Sequence, residues 1–125
     1  MSKKPQARTI ALDFDGVLHR YQGYREGYLD GPILGARRAV ERLMSKAVTV
    51  VVFTTRDKEV VRTWLHTHSF PPLEVTNVKR PFWLIVDDRA MPFDGVWGDD
   101  MVHKITSFQP YWLGGKPAQG ETCDV

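Results

Sequence analysis

The chain has 125 residues, which suits one domain with a single hydrophobic core. Its hydrophobic fraction of 42% and charged fraction of 26% are ordinary for a globular protein, and a net charge of +2 is too small to indicate a nucleic-acid partner. No apolar run approaches the ~20 residues that span a bilayer, and no signal-peptide core opens the sequence. The lone Cys123 excludes an internal disulfide and fits a reducing compartment. We therefore expect a cytoplasmic protein with no membrane partner.

Hydrophobic periodicity predicts alternating strands and helices within one domain, residues 8–113. In chain order, these are a strand over 9–14, a helix that opens at Pro32, a strand over 48–53, a helix that begins at Asp57 and ends before Pro71, short strands over 73–76 and 82–86, and a helix over about 99–108. We predict a flexible N-terminal arm over residues 1–7 and a disordered C-terminal tail over 114–125. Strands alternating with helices predict the α/β class, as a three-layer α/β/α sandwich around a central parallel, Rossmann-like sheet.

Apolar spacing predicts which side chains are buried. The helix after Pro32 carries one apolar stripe, made of Ile33, Ala36, Val40, Leu43, Met44 and Ala47. Residues 48–53 are nearly all β-branched or aromatic, which predicts a strand buried on both faces. We interpret Trp64, Trp83 and Trp97 as core residues and Trp112 as an anchor for the end of the chain. His66, His68 and His103 are interpreted as surface or packing residues.

The most informative stretch is Asp13-Phe14-Asp15-Gly16-Val17-Leu18, which ends the first predicted strand. Its two carboxylates point the same way if the strand continues through them. At about 5 Å and an effective dielectric of about 20 they repel by about 3 kcal/mol, so such a pair is typical of a metal site or a catalytic pKa shift. The alternative is a strand that runs into an ordinary Asp-Gly turn. The rest of the chain decides between the two.

Polar side chains follow the other predicted strands as well. Thr54 follows the second strand, Asp87 and Asp88 follow the last one, and Lys79 lies in the loop between the last two strands. In a parallel sheet, ligands bind at the carboxyl ends of the strands. These residues therefore predict one shared site, which unrelated turns would not produce.

Together the residues suit phosphoryl transfer. Asp13 can attack phosphorus to form an aspartyl-phosphate, and Asp15 can protonate the leaving oxygen and then activate water. Asp13, Asp15, Asp87 and Asp88 supply the hard oxygen ligands that Mg²⁺ prefers. Thr54 can donate a hydrogen bond to the phosphate, and Lys79 can neutralise its charge.

Some roles have alternatives. Thr55 can take the place of Thr54, and Arg80 can share the role of Lys79. Arg56 and Arg89 either contact a substrate phosphate or form ion pairs with Asp57 and Asp94. Asp99 and Asp100 are interpreted as acidic residues at a helix N-terminus, where the helix dipole favours them.

With these residues in order, the chain resembles the haloacid dehalogenase-like (HAD) hydrolase superfamily. The motifs that carry the resemblance are Asp13 to Leu18, the apolar run 50–53 with Thr54, Lys79, and the apolar run 84–86 with Asp87 and Asp88. Thr54-Thr55-Arg56 and Asp87-Asp88-Arg89 are similar to the phosphatase domain of phage polynucleotide kinase. The resemblance implies a Mg²⁺-dependent phosphatase that acts through an aspartyl-phosphate. A signalling receiver domain uses similar residues but places the acidic pair first and the lysine last, so the order argues against it.

The resemblance is to the capless members of that superfamily, because neither segment that carries a cap has room for one. Residues 16–31 have space only for a small flap, in which His19, Arg20, Tyr21 and Tyr24 either pack on the body or stack on a substrate ring. Capless members act on large substrates or rely on a homo-oligomer or protein partner to close the site. The expected substrate is a phosphomonoester: a nucleotide, a nucleic-acid end or a small phosphorylated metabolite. The alternative function is a binding or regulatory protein with little catalysis.

Overall fold

Seven elements of secondary structure form along residues 8–113, the part of the chain that the computed structural model describes. They are the strands β1 (Arg8–Leu12), β2 (Val48–Phe53), β3 (Glu74–Thr76) and β4 (Leu84–Val86), and the helices α1 (Ala36–Met44), α2 (Lys58–Thr67) and α3 (Asp99–Thr106). The predicted arm at 1–7 and tail at 114–125, with Cys123, lie outside the described residues. Each predicted element is present, within a few residues of its expected ends.

The four strands form one parallel sheet in the order β3-β2-β1-β4. Leu12, at the end of β1, is opposite Val52 of β2 and Val86 of β4. The strand that leads into Asp13 therefore lies inside the sheet, with a neighbour on each side. This confirms the α/β class with a Rossmann-like parallel sheet, whose carboxyl edge collects the ends of β1, β2 and β4.

The hydrophobic core lies between one face of the sheet and the first two helices. α1 packs against β2, and α2 packs against β3. The buried cluster consists of Ile10, Leu12, Phe14, Leu18, Ala36, Val40, Val50, Val52, Val61, Trp64, Leu65, Phe70 and Val75. By contrast, α3 packs on none of the strands or helices and buries none of its residues. The described structure thus has a helix layer against one face of the sheet, and α3 does not complete the other.

Helix α1 begins at Ala36, four residues after the predicted start at Pro32. The reason is tertiary: the Ile33 N–H donates to the Leu18 carbonyl at 2.8 Å, which ties this stretch to the segment after β1. Gly35 then adopts a left-handed conformation, with φ of 86°, immediately before the helix. The predicted apolar stripe is therefore shorter than expected. Ala36 and Val40 are buried and Ile33 and Leu43 half-buried, whereas Met44 is exposed and Ala47 lies beyond the helix.

Two of the predicted core tryptophans are on the surface, so that prediction was wrong. Trp83 is 66% exposed and Trp97 is 69% exposed. Trp83 precedes β4, an edge strand, and its ring is covered only in part by the Arg8 guanidinium. Trp97 packs on Phe93 in the loop before α3. Trp64 is buried as predicted, and Trp112 is buried near the end of the described chain.

The segment between β1 and α1 forms a small flap, as predicted. It holds only isolated bridges, from His19 to Asp15 and to Pro32. Trp64 of α2 fixes the flap to the body, because its indole N–H donates to the Asp30 carbonyl at 2.8 Å. β2 leads within a few residues into α2, so the described residues contain no cap domain. No helix among them has the length and apolar character needed to cross a bilayer.

Candidate active site

Three carboxylates meet at the carboxyl edge of the sheet. Asp13 follows β1, and Asp87 and Asp88 follow β4. The Asp13 N–H donates to the Val86 carbonyl at 2.9 Å, which extends the pairing of β1 and β4 up to the site. One oxygen from each carboxylate lies within 4.8 Å of the others. This acidic group, Asp13, Asp87 and Asp88, has the donor chemistry and spacing for a Mg²⁺ ion.

Asp13 is the most perturbed titratable residue of the group. Burial raises the pKa of its carboxyl to about 8, together with a hydrogen bond to Asp88 and the charge of Asp87. Without an ion, Asp13 is therefore mostly protonated at neutral pH and forms a hydrogen bond with Asp88. A divalent cation bound by these carboxylates would replace that proton, because it would neutralise the same repulsion while leaving Asp13 ionised.

We predict that the metal-free protein loses stability as the pH rises. A raised folded-state pKa means that the folded protein keeps a proton which the unfolded chain releases at about pH 4, so the stabilisation is complete below pH 4 and disappears as the pH passes about 8. In EDTA, the melting temperature should fall by roughly 5–15 °C between pH 5 and pH 9. Thermal melts across this range measure it.

Asp13→Asn is the control for that prediction, since it removes the titrating group and keeps the shape. Its melting temperature should depend much less on pH across the same range. Equal slopes for the two proteins would assign the pH dependence to other groups.

Asp15 lies apart from the acidic group, although the sequence predicted it as a fourth metal ligand. Its carboxylate accepts from Arg56 Nε, at 3.0 Å to Oδ1 and 2.8 Å to Oδ2, and it contacts His19 Nδ1 at 2.9 Å. Burial raises the pKa of Asp15, but the hydrogen bonds from His19 and Arg56 and the charge of Arg56 outweigh it and lower the pKa below its usual value. Asp15 is therefore ionised where Asp13 is protonated.

His19 holds Asp15 through one ring nitrogen. The Asp30 N–H donates to His19 Nε2 at 2.8 Å, so Nε2 accepts and the ring hydrogen is on Nδ1, facing Asp15. The ring is buried and stacked on Phe14, with centroids 5.0 Å apart. The sequence predicted packing for His19 as one of two options, and this is confirmed. It did not predict the bond to Asp15, for which the four-residue spacing across a glycine turn was the only signal.

The ion pairs with Asp57 and Asp94, one of two alternatives that the sequence left for Arg56 and Arg89, do not form. Arg56 pairs with Asp15 instead of Asp57, because the Asp57 carboxylate caps α2 by accepting from the Glu59 and Val60 N–H groups. Arg89 lies over the Trp112 ring, with its guanidinium carbon 5.0 Å from the centroid. Asp94, its predicted partner, accepts a hydrogen bond from the Val96 N–H.

The other predicted site residues differ in their burial and in the bonds that they already form. Thr54 is buried after β2, and its hydroxyl oxygen accepts from the Arg56 N–H at 3.1 Å, so this bond does not use the hydroxyl hydrogen. Thr55 and Lys79 are exposed. Arg80 makes a bidentate ion pair with Glu74, at 2.8 Å for both contacts. That pair leaves Lys79 as the better candidate for charge neutralisation.

A cleft of about 650 Å³ adjoins Asp15 and is walled by the flap. Tyr21, Tyr24 and Tyr28 line it, and the Arg56 guanidinium lies 5.3 Å from the centre of the Tyr24 ring. The opening thus combines three aromatic rings with a cation beside a predicted catalytic carboxylate. Such walls suit a flat or cyclic group.

Comparison with known proteins adds information on the fold. No family model matches the chain, and no curated protein matches it. The chain is similar to a solved structure described as that of a conserved protein coded by a locus from Bacteroides thetaiotaomicron. The two share 18% identity with a TM-score of 0.56, over 81% of this chain and 90% of that one. At this identity the likeness shows the α/β fold alone.

Proposed function

We propose that this chain is a Mg²⁺-dependent phosphatase of the capless HAD-like type that cleaves phosphomonoesters through an aspartyl-phosphate. One observation carries the proposal: Asp13 meets Asp87 and Asp88 at the sheet edge, whereas Asp15, only two residues on, is bound by His19 and Arg56. These opposite environments raise the pKa of Asp13 to about 8 and lower that of Asp15. Environments that push paired carboxyl groups apart are typical of sites that divide nucleophile and acid–base roles. An ordinary Asp-Gly turn needs neither environment.

The nucleophile is Asp13, at the end of β1. Its carboxylate oxygen attacks phosphorus, the bond from phosphorus to the leaving oxygen breaks, and an acyl phosphate forms. Mg²⁺, held by Asp13, Asp87 and Asp88, would neutralise the charge that keeps a carboxylate away from a phosphate. Thr54 donates its hydroxyl to a phosphate oxygen, and Lys79 neutralises the phosphate charge.

Asp15 acts as the general acid and the general base. Its lowered pKa keeps the carboxylate ionised, the form that can accept a proton from the water that attacks the phospho-enzyme. The protonated form of Asp15 is the one that gives a proton to the leaving oxygen in the first step, and the proton taken from water in the second step restores that form. Arg56 and His19 hold the carboxylate in place for both steps through the hydrogen bonds described above.

The cleft beside Asp15 supports a substrate whose leaving group carries a ring. A nucleotide, the terminal nucleotide of a nucleic acid, or a cyclic phosphorylated metabolite each meet that description. A homo-oligomer or a protein partner would close the site over the small flap.

The proposal predicts that Mg²⁺ both activates and stabilises the protein. An ion that binds only the folded state adds about 2.7 kcal/mol at a hundredfold excess over its Kd, which corresponds to a rise of roughly 5–15 °C in melting temperature. The experiment measures phosphate release from nucleotides, end-phosphorylated oligonucleotides and sugar phosphates, together with thermal melts, in Mg²⁺, Ca²⁺ or EDTA. Ca²⁺ should stabilise but inhibit, because its looser coordination places the nucleophile poorly.

Asp87→Asn and Asp100→Asn form a matched pair for this experiment. Asp87 belongs to the acidic group, whereas Asp100 is an exposed residue of α3 that contacts Lys104 at 3.5 Å. Only Asp87→Asn should lose the response to Mg²⁺. Activity that survives EDTA, with an unmoved melting curve in millimolar Mg²⁺, would reject the metal assignment. Mg²⁺ binding without hydrolysis of any compound would favour the binding or regulatory role.

A further inference from the structure

The end of the described chain returns to the acidic group. Residues 110–113, called here the C-terminal strap, follow α3, and Trp112 lies against Asp88 and Arg89 in the segment after β4. The Trp112 indole N–H donates to Oδ2 of Asp88, and the Trp112 side chain is only 8% exposed. A residue far along the sequence thus contacts one of the three carboxylates proposed to hold the ion.

Several parts of the chain hold the strap in this place. The Tyr111 hydroxyl donates to the Gly16 carbonyl at 2.7 Å, in the turn that follows Asp13 and Asp15. The edge of the Tyr21 ring, from the flap, meets the Trp112 ring with centroids 4.9 Å apart. The Arg89 guanidinium lies over the same indole. Trp112 is therefore fixed by the motif turn, the flap and the β4 end together.

Asp88 is also held from its other side. A Cβ atom added to Gly16 would lie 2.4 Å from Oδ2 of Asp88, closer than real Cβ contacts, so the turn packs against this carboxylate. Gly16 also has a φ of 83°, which favours glycine. The same oxygen of Asp88 thus lies between the bare Gly16 backbone and the Trp112 indole.

We propose that Trp112 is a positioning residue for the metal site, which orients Asp88 and makes Mg²⁺ binding depend on the C-terminal strap. The inference rests on the proposed function, because it assumes that the acidic group holds the ion. Hydrogen-bond donors behind a metal ligand restrict its rotation, and their loss typically weakens metal binding by about 10–100-fold. An indole is suited to this task because it donates one hydrogen bond and carries no charge that would compete with the ion.

Linkage makes the dependence reciprocal. If the docked strap strengthens Mg²⁺ binding, then bound Mg²⁺ stabilises the docked strap by the same factor. The indole N–H signal of Trp112 should therefore change when Mg²⁺ binds. Its indole N–H is bonded to a ligand of the ion, whereas Trp97 is exposed and packs on Phe93 in a loop.

The test uses the indole N–H signals of ¹⁵N-labelled full-length protein, one for each of its 4 tryptophans. Trp112→Phe identifies the Trp112 signal by its loss, and a through-space contact with the Tyr21 ring identifies it independently. We expect added Mg²⁺ to shift the Trp112 signal. The Mg²⁺ concentration at half of this shift should agree with the concentration at which thermal melts show stabilisation. Trp112→Phe should weaken Mg²⁺ binding by about tenfold or more. Trp97→Phe, the control, should leave the Kd unchanged.

Failure of the inference is distinguishable from failure of the proposed function. If wild type binds Mg²⁺ while the Trp112 signal stays unmoved, and Trp112→Phe keeps its Kd within about twofold, the positioning role is rejected and the metal site stands. If wild type binds no Mg²⁺, both are rejected. The signal shift is read in wild type, so a variant that fails to fold does not prevent the test. Tyr111→Phe, which keeps the indole and removes the hydroxyl that bonds to the Gly16 carbonyl, should weaken binding less than Trp112→Phe.

Discussion

Asp13→Asn is expected to lower turnover of an aryl phosphate by at least about 10⁴-fold, because it removes the attacking oxygen nucleophile. The fold should survive the change. Asn has the same shape, its amide can donate to Asp88 as the protonated carboxyl does, and it cannot add a negative charge to the acidic group. Steady-state release of phosphate in saturating Mg²⁺ measures the loss, and circular dichroism checks the fold.

Asp100→Asn is the matched control for this measurement, since it makes the same chemical change on exposed α3 and should keep wild-type turnover. A well-folded Asp13→Asn protein that retained more than a few per cent of wild-type activity would overturn the covalent mechanism. Trapping of a phosphorylated carboxylate in wild type, absent from the variant, would locate the intermediate directly.

Asp15→Asn is expected to slow turnover by about 10²–10⁴-fold, the usual contribution of a positioned acid or base. Part of the loss has a structural cause. Arg56 and His19 both direct N–H groups at Oδ1 of Asp15, and Arg56 also contacts Oδ2, where Asn would place either its NH₂ group or its only oxygen. The variant therefore loses both the base and some of its alignment.

Substrates with different leaving groups allow the two chemical steps of Asp15→Asn to be measured separately. With an aryl phosphate the first step needs little acid help, so Asp15→Asn should form phospho-enzyme in a burst and then stall, because water is no longer activated. Rapid-quench measurements detect the burst. With alkyl phosphates both steps slow and no burst is expected. Asp94→Asn, at a surface position that accepts only the Val96 N–H, should behave as wild type. Equal slowing of both substrate classes without accumulation would contradict the role of Asp15 as the base.

Features of the fold that depend on a few neighbouring residues were predicted correctly from the sequence. The β-branched run Val48–Phe53 predicted a strand buried on both faces, and its middle residues, Val50, Val51 and Val52, are buried. Asp57 predicted the start of α2, and its side chain caps that helix. These predictions hold because hydrophobic periodicity and capping act over a few residues.

Long-range contacts explain where the expectations failed. Pro32 has the local features of a helix start, but the bond between Ile33 and Leu18 keeps its neighbourhood in the flap. Trp83 is a large aromatic residue of the kind expected in a core. It is exposed because β4 is an edge strand and α3 does not pack on the sheet. In each case, a partner distant in sequence decides the burial.

The amino-acid sequence by itself determined the α/β order, the parallel sheet and the list of acidic and polar residues at the strand ends, because each depends on local pattern and on the rule that parallel strands end at one edge. Only the tertiary structure decided which of those residues contact one another. Asp13 lies with Asp87 and Asp88, whereas Asp15 binds Arg56 and His19. Trp112 contacts Asp88. Adjacent motif carboxylates acquire opposite pKa shifts because burial and hydrogen bonding come from residues that the chain brings together only on folding.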